Sequence, residues 1–130
     1  MASINDGIWV NIDSKEEVDL DMLFHVSDIR CIVYDSEDEK FYMIANRHKE
    51  IIGFYLIRFD AYDPEKFEFI TTWVHNLDIE NVNMNISRGF EKNGNPFKEL
   101  IISYKTIFIN TYTVVTQNLC GPIDQLSVVN

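Results

Sequence analysis

A chain of 130 residues with 46% hydrophobic and 13% aromatic side chains is too apolar to be disordered, and it is long enough to bury about two thirds of its unfolded surface. Its formal net charge of −10 is unevenly placed, with fifteen acidic against six basic side chains in residues 1–65 and six against five in residues 66–130. Such a field repels a phosphate backbone and an anionic bilayer, so no nucleic-acid partner is expected, and the lack of any apolar run of about eighteen residues argues against membrane insertion.

Residues 1–12 show no basic stretch leading into an apolar one, so no secretory signal is read there and the expected location is intracellular and cytoplasmic. By length, residues 1–130 form a single β-rich domain. In residues 7–12, GIWVNI, Ile8, Val10 and Ile12 alternate with Trp9 and Asn11. The turn chemistry of Asn5-Asp6-Gly7 precedes them, which predicts a first strand. Ser14-Lys15-Glu16-Glu17 has the form of a capping box, in which the Ser14 oxygen accepts from the Glu17 amide, and it predicts a short helix over residues 15–25.

From Ile29 onward apolar runs are separated by polar segments too brief for crossover helices, the pattern of an antiparallel meander. Residues 29–34 and 41–45 are predicted strands around an acidic turn at residues 35–39. A charged loop at residues 47–50 leads into residues 51–59, IIGFYLIRF, apolar on both faces and so a central strand. After a turn at residues 60–65, Phe67, Phe69, Thr71 and Trp73 fall on one face of the next strand. Val82, Met84 and Ile86 alternate with Asn83, Asn85 and Ser87, giving the clearest period of two and one wet face. Asn93-Gly94-Asn95-Pro96 turns the chain, and Pro96 to Glu99 read as one helical turn.

The stretch at residues 100–116, LIISYKTIFINTYTVVT, is rich in β-branched and aromatic residues and apolar on both faces. Seventeen residues at roughly 3.3 Å each exceed the usual strand, so a break is expected at Asn110-Thr111, with residues 100–109 and 112–116 pairing with different neighbours. Gly121-Pro122 is a further break, and residues 126–129 form a short edge strand or a frayed end. The sum is a mainly β, α+β chain with one short N-terminal helix, built as an antiparallel β-barrel or sandwich of about seven strands. A pleckstrin-homology-like roll fits that strand count, although residues 119–130 have no helical period to close it.

Three acidic clusters are the conspicuous polar features. If the turns at residues 35–39 and 60–65 lie at one end of a sheet, Asp35, Asp38, Asp60 and Asp63 are candidate calcium ligands, although no EF-hand loop is present and solvated turns carry the same composition. His25, His48 and His75 share no metal spacing, and His75 with Asp78 and Glu80 is the one histidine cluster the sequence suggests. Cys31 and Cys120 read as buried thiols, with a disulfide as the alternative. There is no nucleophile elbow, no glycine-rich phosphate cradle and no basic setting for either thiol, so no catalytic residue and no cofactor is assigned.

These features point to a non-catalytic protein–protein interaction or structural module on an antiparallel β scaffold, with Val82, Met84 and Ile86 on an edge strand as the interaction site. The partner expected is a protein, either a basic one drawn by the acidic half or a second copy of the chain. The alternative is a calcium- or small-ligand-binding β domain, or an enzyme whose site is assembled only in three dimensions.

Overall fold

The computed structural model describes residues 2–75, 77–109 and 111–119, together with the backbone of residues 127–129. Among these the chain is mainly β, with antiparallel strands in three open sheets, one five-residue helix and no closed barrel. It divides into two compact units, Met1–Val74 and His75–Asn130. The strands exceed the expected seven because the sequence reading assigned no strand to residues 2–5 or 17–19 and took two hairpin arms for one broken strand. Each sheet ends in edge strands, so the barrel and its pleckstrin-homology-like variant are not formed.

The first unit opens with a three-stranded sheet, β1 (Ala2–Asn5), β2 (Ile8–Asn11) and β3 (Glu17–Asp19), with β2 in the middle. Asn5 pairs directly with Ile8, leaving Asp6-Gly7 as a two-residue turn with φ of 52° and 78°. Two positive φ values in succession are the type I′ geometry that an Asp-Gly pair supplies. On β2 Trp9 is 1% exposed, while Ile8, Val10 and Asn11 are half-buried.

The predicted helix over residues 15–25 is corrected. Asn11 Oδ1 accepts from the amides of Asp13 and Ser14 at 3.0 and 3.1 Å, and Lys15 adopts φ 65°, so these residues form the β2–β3 turn. Ser14 Oγ accepts from Glu16 at 3.3 Å instead of from Glu17. The helix α1 (Leu20–Phe24) starts later, capped by Asp19, whose Oδ1 accepts from the Asp21 and Met22 amides. It stops at His25, left-handed at φ 54°, and buries Leu20 and Phe24.

The meander is present as expected: β4 (Val26–Asp35), β5 (Lys40–Arg47), β6 (Gly53–Asp60) and β7 (Phe67–Val74) pair in chain order. β6 lies between β5 and β7, the central place expected for residues 51–59, although Ile51 and Ile52 precede the strand and are exposed. In β7 a bulge changes the predicted face. Leu56 pairs with Thr71 and Ile57 with Phe69, so Ile70 is the extra residue; it is 7% exposed whereas Phe69 is 45% exposed. Trp9, Leu20, Phe24, Val26, Met43, Ala45, Ile57 and Phe59 form this unit's core.

The second unit is a four-stranded sheet ordered β11 (Ser127–Val129), β10 (Tyr112–Asn118), β9 (Pro96–Thr106), β8 (Ile79–Phe90). Gly94, at φ 86°, donates to the Glu91 carbonyl in the β8–β9 turn, and Pro96 pairs with Phe90 as the first residue of β9. Pro96 to Glu99 are therefore strand and not a helical turn; a first strand position loses little from the missing amide. On β9 Lys98, Leu100, Ile102, Tyr104 and Thr106 are buried, and the alternate residues are half-buried from Phe97 to Lys105.

Residues 100–116 do break, but earlier than expected. β9 ends at Thr106, and the two pieces pair with each other, Lys105 opposite Tyr112, while also holding β8 and β11 on their outer sides. Asn110, like Cys120, Gly121-Pro122 and Leu126, lies outside the described residues. The backbone of residues 127–129 forms an edge strand, one of the two alternatives expected for residues 126–129.

Candidate functional site

Antiparallel pairing in chain order carries the β4–β5 and β6–β7 turns to one end of the meander, as the acidic clusters required. The Ala61 amide donates to the Glu39 carbonyl at 3.0 Å and ties the two turns together. Asp35 pairs with Lys40 and Lys40 with Asp60, so a carboxylate, an ammonium and a carboxylate stand in a row across β4, β5 and β6. Lys40 Nζ lies 3.4 Å from Asp60 Oδ2.

Asp60 Oδ1 accepts from the amides of Tyr62 and Asp63 at 2.8 and 3.1 Å. Partial burial pushes the Asp60 carboxyl up, but the Tyr62 amide, the Lys40 ammonium and the Asp63 amide outweigh it and hold it below the ordinary carboxylate value. Asp35 is fully buried at the end of β4, where Oδ1 accepts from the Glu37 amide at 3.1 Å. Asp63 Oδ1 accepts from the Glu65 amide, and Asp38 is exposed in its turn. The four calcium candidates thus share one end of the sheet, but a lysine ammonium sits between two of them. Among the described residues no group of three or more His, Cys, Asp or Glu side chains is placed to hold a metal ion.

Beside this row the same turns build a cleft of about 610 Å³, half open to solvent, lined by Ile4, Ile32, Tyr34, Phe41, Ala61 and Tyr62 with the strand residues Ala2 and Ser3. Ile4, Ile32 and Phe41 pack on the core from one side and form the cleft wall on the other. Phe41 stacks on Phe59 at 5.3 Å, which fixes the wall to the interior, and Tyr34 stands 5.0 Å from Phe41. Tyr62 donates its phenol to Glu39 Oε1 at 3.3 Å. The Glu39 carboxylate, first by its charge and then by its hydrogen bond, pushes the Tyr62 phenol up. Trp9 braces the turn from within, its Nε1 donating to the Ala61 carbonyl at 3.0 Å. Sequence reasoning missed this cleft, since its walls come from β1, β4, β5 and a turn far apart in the chain. The signal present was a tyrosine next to each acidic turn, Tyr34-Asp35 and Tyr62-Asp63.

The histidines part company. His75 meets Tyr104 edge-on at 5.3 Å, while Glu80 faces Lys105 at 3.6 Å and Asp78 Oδ1 accepts from the Ile79 amide. His25 and His48 instead come together, ring centroids 4.4 Å apart, because β4 and β5 pair immediately beyond them, Val26 with Arg47. Cys31 is half-buried on β4, not buried as expected.

Val82, Met84 and Ile86 lie on β8, an edge strand as expected. Met84 is buried at 6% exposed and Val82 and Ile86 are half-buried, while Asn83 and Asn85 are exposed. A bulge separates Glu80 from Asn83, and from Asn83 to Phe90 eight consecutive residues pair with β9 without interruption. The unpaired side of β8 is its backbone edge, and Asn83 and Asn85 are among its exposed side chains. Comparison with known protein families, with curated proteins and with solved structures finds no match.

Proposed function

We infer that the protein is a non-catalytic interaction module that receives a strand from another protein along β8. The observation that supports this reading is the uninterrupted register of Asn83 to Phe90 at a sheet edge. Edge strands invite pairing, and proteins usually blunt them with bulges, charges, lysine or proline. β4 shows that guarding: two bulges interrupt it and Asp28 sits in the left-handed region at φ 51°. Residues 82–90, VNMNISRGF, contain no lysine and no proline, and Arg88 is their only charge. An added strand would gain main-chain hydrogen bonds along this edge, and Met84 and Ile86, paired with Ile102 and Leu100, hold the register that presents it.

The test is a comparison of the wild-type chain with Asn83→Lys/Asn85→Lys, both on exposed positions. Immobilised wild-type protein is expected to retain a partner, or a second copy in light scattering across the micromolar range, and the lysine pair is expected to release it with an unchanged thermal midpoint. A retained set identical for both proteins would overturn the reading, as would a strictly monomeric chain that retains nothing.

A further inference from the structure

The cleft beside the acidic row has the chemistry of a receptor for an organic cation. Its volume of about 610 Å³ falls within the usual range of small-molecule sites, roughly 300–1,000 Å³. Among the described residues no charged side chain lines it, and at its rim the Glu39 carboxylate is held against Tyr62. Tyr34 and Tyr62, 44% and 48% exposed, and the half-buried Phe41 present aromatic rings to the space. Rings carry negative π faces that attract an ammonium, and the attraction strengthens where the group is partly desolvated. The ammonium closest in the row, Lys40, is engaged by Asp60 on β6 and does not line the cleft. The Glu39 carboxylate at Tyr62, and more diffusely the net −9 of residues 1–74, sixteen acidic against seven basic side chains, favour a cation at this mouth.

We propose that the cleft formed by Ile4, Ile32, Tyr34, Phe41, Ala61 and Tyr62 binds a free small amphiphilic ammonium, its apolar body on the floor and its cationic head between Tyr34, Tyr62 and Glu39. Size decides the class. A tetramethylammonium ion fills only a small part of such a volume and leaves the Ile4 and Ile32 floor uncovered, whereas an arylalkylammonium covers floor and rim together. The lining residues of the cleft all belong to the first unit.

Titration of the full chain followed by isothermal calorimetry or by tyrosine and phenylalanine NMR shifts tests this, with benzyltrimethylammonium as the probe. Neopentylbenzene, its neutral isostere, and benzenesulfonate are the controls. Saturable binding of the cation is expected below millimolar, at least tenfold tighter than the neutral isostere, with no binding of the sulfonate. Glu39→Gln should weaken the cation three- to tenfold and leave the neutral compound unchanged; Tyr62→Leu should weaken the cation about tenfold. Circular dichroism and the thermal midpoint establish that both variants are folded. Equal binding of cation and neutral isostere overturns the proposal, as does the absence of cation binding at millimolar concentration. Cation binding that survives both substitutions overturns the site.

Discussion

Asp60 and Trp9 support the same turn from opposite sides, and each makes a distinct prediction. Because the folded Asp60 carboxyl is held below its ordinary value, its contribution is present above the unfolded value of about 3.9 and is lost as pH falls through the lower folded one. Asp60→Asn keeps an oxygen for the Tyr62 and Asp63 amides but drops the Lys40 pairing. Urea midpoints should therefore show the variant less stable at pH 7, with the gap constant down to about pH 5 and closing below pH 4. A gap that widened on acidification would contradict the assignment. Trp9→Phe leaves the Ala61 carbonyl without its donor and opens space in the core, so a loss of about 2–3 kcal/mol is expected from chemical denaturation.

Two turns test how backbone conformation sets the elements. Gly7 at φ 78° completes the β1–β2 hairpin, and a Cβ there would meet Asp21 Oδ1 at 3.4 Å. Gly7→Ala should cost about 1 kcal/mol or slightly more, read as a lower midpoint in urea. At the β9–β10 tip Phe108 holds φ 67° with 99% of its surface exposed. A bulky side chain in that region costs about 1 kcal/mol and here gains no packing, so Phe108→Asn should raise stability by roughly 0.5–1 kcal/mol.

The same elements show what the sequence made legible. The meander and the turns at Asp6-Gly7 and Asn93-Gly94 were readable because alternation and turn chemistry are local. Ser14 to Glu17 misled because Ser and Glu after an Asn suit a hairpin turn as well as a capping box, and the long-range β2–β3 pairing chose the hairpin. The bulges at Asp28, Ile70 and Asn81 carry no local signature, so the face of Phe69 was misassigned. The exposed Asn83 and Asn85 of β8 were readable from their alternation with Val82, Met84 and Ile86. The cleft could not be read, because its lining joins residues 2–4 to residues 32–62 through pairings that no local pattern reveals.

Charge and architecture divide the whole molecule at the same place. The unit Met1–Val74 carries sixteen acidic and seven basic side chains, whereas His75–Asn130 carries five and four. The ion pairs described in the first unit, among them Arg58 with Glu68, Arg47 with Glu50, Arg30 with Asp28 and Lys40 with Asp60, are at least partly exposed. Pairs of that kind contribute about 0–1 kcal/mol each, while a net charge of −9 in so small a body repels itself over the full Debye length. That length shrinks from about 30 Å at 0.01 M to about 8 Å at 0.15 M ionic strength. Screening should therefore remove more repulsion than attraction, and the first unit should become more stable as salt rises over this range. Both tryptophans, Trp9 and Trp73, belong to that unit, so intrinsic fluorescence reports on it selectively. The expected result is a fluorescence-detected thermal midpoint that climbs by several degrees between 0.01 and 0.15 M sodium chloride, on the scale of about 1 kcal/mol. A falling midpoint would mean that the ion pairs, led by Lys40 with Asp60, outweigh the repulsion around them.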